Sequence, residues 1–166
     1  MRCCPHASER EEVHPFLAEG SEHVVFLDTE TDDVIKTTKP GLYGEHYYVE
    51  ANRVYQTRST PLEYLERLRL VGRYFGIDQD ALGIMPGGEI ISRQPFISGD
   101  PPTQAEVDVF SLEAGMLPVK QNCWVWKGAS VDGLEPWIGD ARDDNFVVTE
   151  NGIVPVDLRM WQVPVE

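Results

Sequence analysis

The stretch GDARDDNFVVTENGIVPVD, Gly139 to Asp157, decides how this chain is read. It carries four aspartates and two asparagines, yet its middle reads FVVT-ENG-IVPV. Two β-prone runs separated by three residues, with Gly152 last, form the pattern of a hairpin whose glycine takes a left-handed conformation. A short antiparallel hairpin brings the residue before its first strand close to the residue after its second. Asn145 and Asp157 are therefore expected to meet, and Asp140, five residues before Asn145 on a loop, can curl beside them. The alternative is a solvated acidic turn, with Asp140 in a turn or N-cap, Asn145 in an Asx-turn and Asp157 as an exposed strand-end carboxylate.

If the three do converge, a carboxylate, an amide oxygen and a second carboxylate suit an octahedral Mg²⁺ on a triphosphate, because Mg²⁺ takes few protein oxygens and keeps room for phosphates and waters. A calcium loop is excluded: Arg142 takes a ligand slot, and Asn145 stands at the position that must be glycine. Asp143 and Asp144 read as solvated.

Upstream, EHVVFLDTETDDVIKTT reads as two strands, Glu22 to Leu27 and Asp33 to Thr38, joined by a turn. The following KPGLYGEHYYVEANRVYQTRS reads as loop. TPLEYLERLRLVGRYFG carries a full set of helix signals: Thr60 at the N-cap, Pro61 at the first helical position, Glu63 completing a capping box and Gly76 just past the end. GEIISRQPF is a strand. PPTQAEVDVFSLEAG repeats the capping logic with Thr103 and Glu106 and stops at Gly115. CWVWKG is β-rich. Ser8 with Glu11 caps a short helix that Pro15 ends, and Cys3, Cys4 and His6 read as a frayed terminus before a metal cluster, since adjacent cysteines do not both face one tetrahedral ion. The whole is an α+β arrangement.

The chain has the length of one ordinary domain or two very small lobes sharing a cleft, and 42% apolar residues suffice for a core. Its formal charge is −14, from 28 acidic against 14 basic residues, so nucleic acid and anionic membranes are unfavoured partners. An anionic ligand then has to be held locally by a few placed cations, backbone N–H groups or a divalent metal. Three cysteines without an even framework imply a reducing compartment, and we expect a cytoplasmic protein with no signal peptide and no membrane span.

The spacing GD-x-x-x-x-N, a hairpin, then Asp resembles the catalytic loop and metal-binding Asp of the protein kinase superfamily. Other pieces stand in matching order: EGSEHVVF from Glu19 at the phosphate loop, Lys36 of DVIKTT at the strand lysine, the Thr60 to Phe75 helix, and EIISRQPFISG as last small-lobe strand and hinge. PLEYLERLRL, QPFISGDPPT and DNFVVTENGIVPVD are similar to the compact kinase-like module of polyvalent proteins from phages and mobile elements. The likeness runs from about Glu19 to Trp161.

The resemblance implies a minimal protein kinase-like fold: an extension over 1–18, a β-rich N-lobe with one helix over 19–97, and a strongly reduced C-lobe over 98–166. It implies ATP and Mg as cofactors, with Asn145 and Asp157 holding the metal, Asp140 taking the acceptor's hydroxyl proton and Arg142 beside the transferring phosphoryl. Lys36 clamps the α- and β-phosphates; the bland reading of Lys36 is a lysine snorkelling from a strand. Its partner on the helix is expected at Glu66, since Glu63 is used in the capping box. Gly20 and Ser21 cover phosphates, while Gln94 to Ile97, with Gln94 and Phe96 foremost, meet adenine through backbone groups between Val24 and Val34.

This chain departs from the pattern in having Ser21, Glu22 and His23 for loop glycines, and Leu158 and Arg159 after the metal Asp. The sequence ends nine residues after Asp157, without a long activation segment. The function implied is Mg-ATP-dependent phosphorylation of a hydroxyl acceptor, protein or small molecule. Two rivals stand beside it: a pseudokinase that binds nucleotide or a protein without transfer, and a plain α+β interaction domain; a second copy completing the reduced lobe is a further option.

Overall fold

The computed structural model describes residues 15–50 and 53–165. The expected helix at Ser8 to Glu11 and the Cys3, Cys4 and His6 group lie outside these residues.

A five-stranded antiparallel sheet opens the chain. β1 (Phe16–Glu19), β2 (His23–Asp28) and β3 (Asp33–Thr38) form a meander, and β6 (Asp80–Ile84) and β7 (Ile90–Pro95) complete it in the order β1-β2-β3-β7-β6. The β2–β3 hairpin arises as the sequence predicts, with Asp32 at φ 59° in its turn. β1 begins at Phe16, so the expected extension over 1–18 already contains part of a strand. Lys36 lies opposite Ser92 where β3 pairs with β7.

Between β3 and β6 the chain forms a separate hairpin, β4 (Glu45–Glu50) with β5 (Arg53–Arg58), and then helix α1 (Pro61–Phe75). The hairpin corrects the loop reading of that stretch: Tyr48 and Tyr55 face each other across the ladder and stack at 5.3 Å, a cross-strand pairing that the intervening Ala-Asn obscured in sequence. α1 starts and stops where its signals predict. The Thr60 hydroxyl accepts from the Glu63 N–H, the Glu63 carboxylate accepts from the Thr60 N–H at 2.7 Å, and Gly76 takes the left-handed C-cap at φ 69°.

Helix α2 (Gln104–Glu113) carries the second capping box at Thr103 and Glu106. A four-stranded antiparallel sheet follows in the order β13-β10-β9-β8, from β8 (Leu117–Lys120), β9 (Cys123–Val125), β10 (Leu134–Gly139) and β13 (Arg159–Pro164). The expected terminal hairpin forms as β11 (Phe146–Thr149) with β12 (Gly152–Pro155), with Gly152 at φ 115°.

One hydrophobic core runs across the boundary expected at residue 97. Leu70, Val71 and Ile77, from the end of α1, pack with Val107 of α2 and with Trp124, Ile138, Phe146, Leu158 and Met160. The two halves are therefore joined through their apolar interior. No helix among the described residues is long and apolar enough to cross a membrane.

Candidate functional site

Two strand pairings assemble the site. β10 and β13 are in register from Leu134↔Pro164 to Gly139↔Arg159, so Asp140 and Leu158 leave adjacent strands at the same end. The β11–β12 hairpin closes with Phe146 opposite Pro155, which sets Asn145 beside Val156. Its carbonyl accepts from the N–H groups of Val156 at 2.8 Å and Asp157 at 3.4 Å. A 3₁₀ turn over Asp143–Asn145 folds the intervening loop, and the Asn145 amide donates to the Asp140 carbonyl at 2.7 Å. Asp140 itself sits at φ 57°, a left-handed conformation that an Asp tolerates better than most residues.

Lys36 reaches this group from the first sheet. Its Nζ donates to the Val156 carbonyl at 3.1 Å and lies 3.6 Å from the Asp157 carboxylate. Desolvation favours the neutral acid at Asp157, but the charges of Lys36, Arg67, His23 and Arg159 outweigh it and hold the carboxyl at about 2. The carboxylate is thus ionised at any physiological pH.

A cavity of about 410 Å³ opens over Asp140, Asn145 and Asp157; Lys36 does not itself line it and meets it only through its contact with Asp157. Its floor is Asp140, Arg142, Asn145, Asp157 and Arg159; its roof is the β1–β2 turn, Glu19 to His23. Gly20 and Ser21 stand in that roof as expected, although the Gly20 N–H is spent on the His23 carbonyl at 2.9 Å. Arg142 holds the Asp140 carboxylate at 3.0 Å.

Two expectations are corrected. Glu66 is not the partner of Lys36: it pairs with Arg69 at 2.6 Å on the outer face of α1. The buried residues of α1 are Tyr64, Arg67, Leu68, Leu70 and Val71; Glu66 is four positions from Leu70 but two from both Tyr64 and Leu68, roughly half a turn away at about 3.6 residues per turn, and its side chain turns outward to Arg69. Leu62, four residues before Glu66, is 75% exposed. Nor do Gln94 and Phe96 line the cavity. The Gln94 side chain donates to the Val156 carbonyl at 3.0 Å and accepts from Gln79, while the Phe96 N–H is used by the Asp32 carbonyl.

The residue that α1 does send inward is Arg67. It is buried, sits over the Tyr64 ring and bonds the Glu22 carboxylate at 2.6 Å. His23 joins them, with Nε2 2.9 Å from the Tyr64 hydroxyl, which in turn meets the Ser92 hydroxyl at 3.2 Å. Burial pushes the His23 imidazole down to about 4, against the pull of Asp157 and Glu22, so it is neutral at pH 7. Arg159, the other addition, bridges: one side pairs with Glu45 of β4, and Nη2 lies 3.6 Å from the Asp140 carboxylate. Arg67 carried one readable signal, a charge three residues from Tyr64 inside the apolar stripe. Arg159 carried only its departure from the kinase pattern.

The donor set, two carboxylates and an amide oxygen at one end of the cavity, is hard oxygen and suits Mg²⁺ shared with phosphate oxygens. Among the described residues no cluster of three or more His, Cys, Asp or Glu side chains is placed to hold a metal alone. No protein-family model, curated protein or solved structure matches this chain.

Proposed function

We propose that this protein is a kinase-like phosphotransferase that uses Mg-ATP to phosphorylate a hydroxyl acceptor. The observation that carries the reading is the meeting of Lys36 with Asp157 at 3.6 Å across 120 residues of sequence, with Asp157 and Asn145 lining the same cavity as the β1–β2 turn. A lysine on the third strand of a small antiparallel sheet and an Asn and Asp flanking a hairpin are what phosphoryl transfer in this superfamily requires. The α+β architecture with its predominance of strand agrees with a small-lobe arrangement.

Bound Mg²⁺ would be held by Asn145 and Asp157 and would neutralise charge on the β- and γ-phosphates. Lys36, drawn now to Asp157, then faces the phosphates. Arg142, now paired with Asp140 and Asp144, is the cation placed to turn toward the transferring group, which matters on a chain of net charge −14. Asp140 accepts the hydroxyl proton as the acceptor oxygen bonds to the γ-phosphorus. Positioning and electrostatics suffice, without a covalent enzyme intermediate.

One observation favours the pseudokinase alternative: the backbone N–H groups of Gly20 and Phe96, both assigned to nucleotide contact by the resemblance, are bonded within the protein. A thermal-shift titration separates the readings. At 100 times its Kd, Mg-ATP stabilises by about 2.7 kcal/mol, or roughly 5–10 °C in a domain of this size. Lys36→Met and Asp157→Asn abolish the shift; Asp140→Asn keeps it and abolishes γ-phosphate transfer. Binding without transfer by the wild type leaves the pseudokinase, and the absence of any shift overturns the phosphotransferase and the nucleotide-binding pseudokinase, leaving a protein-binding domain or an enzyme that needs a partner.

A further inference from the structure

A second cavity of about 190 Å³ adjoins the first, and Ser21, Glu22 and Arg159 line both. Its remaining walls are Gly41, Leu42, Gly44, Glu45 and Arg58. The β3–β4 loop builds this space by omitting side chains. Gly44, at φ 80°, lies so near the Glu22–Arg67 pair that a Cβ would come within 2.4 Å of the Glu22 carboxylate, whereas a Cβ at Gly41 would meet nothing within 4 Å.

The cations around the two cavities divide sharply. Arg67 is matched by Glu22, Arg142 by Asp140 and Asp144, and Arg159 by Glu45 and Asp140. Arg58 is different. Glu45 stands directly opposite it in the β4–β5 ladder, yet that carboxylate is turned to Arg159. Among the described residues Arg58 makes no ion pair, on a chain with twice as many acidic as basic side chains. The walls of the second cavity thus carry two carboxylates already neutralised and one guanidinium that is not.

Arg159, one of the three residues shared by the two cavities, pairs with Glu45 of the second and lies 3.6 Å from Asp140 of the first. We propose that the second cavity seats the acceptor of the phosphotransferase described above, and that the acceptor is a small hydroxy acid. Its carboxylate takes the planar fork of Arg58, and its hydroxyl reaches past Arg159 to Asp140. The acceptor oxygen forms a bond to the γ-phosphorus, the bond from that phosphorus to the β,γ-bridging oxygen breaks, the hydroxyl proton passes to Asp140, and ADP leaves with the electron pair. Arg58 is then a specificity-determining residue. This inference rests on the phosphotransferase reading, and its test keeps the two apart.

The probe is glycerate, with neutral glycerol and dephosphorylated casein as alternative acceptors. Binding of glycerate without nucleotide is followed by NMR, and transfer with Mg-ATP by ADP release and product mass. Arg58→Ala weakens glycerate at least about tenfold, the loss of a charge-assisted bidentate contact, and raises its KM similarly with kcat unchanged. Arg58→Lys restores part of the loss, and Arg53→Ala, on the same hairpin outside both cavities, changes neither. Equal glycerate binding by wild type and Arg58→Ala overturns the proposal, as does phosphorylation of glycerol or casein as fast as glycerate. ADP formation with another acceptor but no glycerate binding removes the hydroxy-acid site and leaves the phosphotransferase standing. Glycerate binding at Arg58 without any Mg-ATP binding removes the phosphotransferase and, with it, the acceptor role.

Discussion

Replacing Arg67 by Met tests the electrostatic frame of the site. Arg67 is 6% exposed, and the Glu22 side chain that it holds at 2.6 Å is 12% exposed, so neither charge has much water to fall back on. Met keeps the volume and the packing against Tyr64 but leaves the carboxylate alone in a half-dry cavity. Removing one partner of such a pair costs about 3–5 kcal/mol, chiefly the uncompensated charge left behind. At about 2–4 °C per kcal/mol for a domain of this size, the midpoint should fall by roughly 6–20 °C. The double variant Glu22→Gln, Arg67→Met removes both charges and should return to within about 1 kcal/mol of the wild type, because a neutral replacement of a buried pair is often close to isoenergetic. Urea unfolding followed by tryptophan fluorescence, closed as a double-mutant cycle, measures both numbers. A single-variant loss below about 1 kcal/mol, or a double variant no better than the sum of the singles, would refute the view that Arg67 is there to neutralise Glu22.

Three further outcomes follow from the same geometry. The His23 imidazole at about 4 lies below its ordinary 6.5, so the unfolded chain binds more protons between those values; stability is full above pH 6.5 and falls through pH 4, by roughly 3 kcal/mol in all, and His23→Gln flattens that part of the pH profile measured by denaturant titration. Gly44→Ala and Gly41→Ala both force a side chain into left-handed backbone, about 1–3 kcal/mol each, but only the first also strikes the Glu22 carboxylate, so calorimetry should rank Gly44→Ala the worse. Burial pushes the Cys123 thiol up to about 11; with Cys3 and Cys4 changed to Ser, iodoacetamide at pH 8 should label the native protein at least about a hundredfold more slowly than the urea-unfolded chain, read by mass spectrometry.

Local chemistry made the helices and two of the hairpins legible. Capping boxes at Thr60 and Thr103 satisfy orphan N–H groups whatever the rest of the chain does, and so they survive into the fold unchanged. The Asn145 and Asp157 meeting was readable for the same reason, because hairpin closure is local geometry. The β4–β5 hairpin was not, since its aromatic ladder has no strong turn dipeptide. The four-stranded sheet escaped because β10 and β13 are separated by the loop and hairpin that carry the site, and nothing in either strand names its partner. Glu66 was misplaced because one of its two leucine neighbours at four residues, Leu70, is buried while the other, Leu62, is exposed, so the residue stands at the edge of the buried face and Arg67 takes the inward position. Arg58 and Arg159 show a different limit, as their significance lies in which carboxylates are left for them.

The carbonyl of Val156 holds two donors from the other half of the molecule, Lys36 at 3.1 Å and Gln94 at 3.0 Å, immediately before Asp157. That double anchorage, together with the shared apolar interior, opposes a clamshell motion in which the two halves swing apart to admit a ligand. Swinging them would strand a peptide oxygen and a lysine at once. The Glu19–Glu22 turn over the cavity is tied by the Glu22–Arg67 pair, the Lys39 N–H on the Glu22 carbonyl and the Lys39–Glu19 pair, so lifting it to admit a ligand would break all three together.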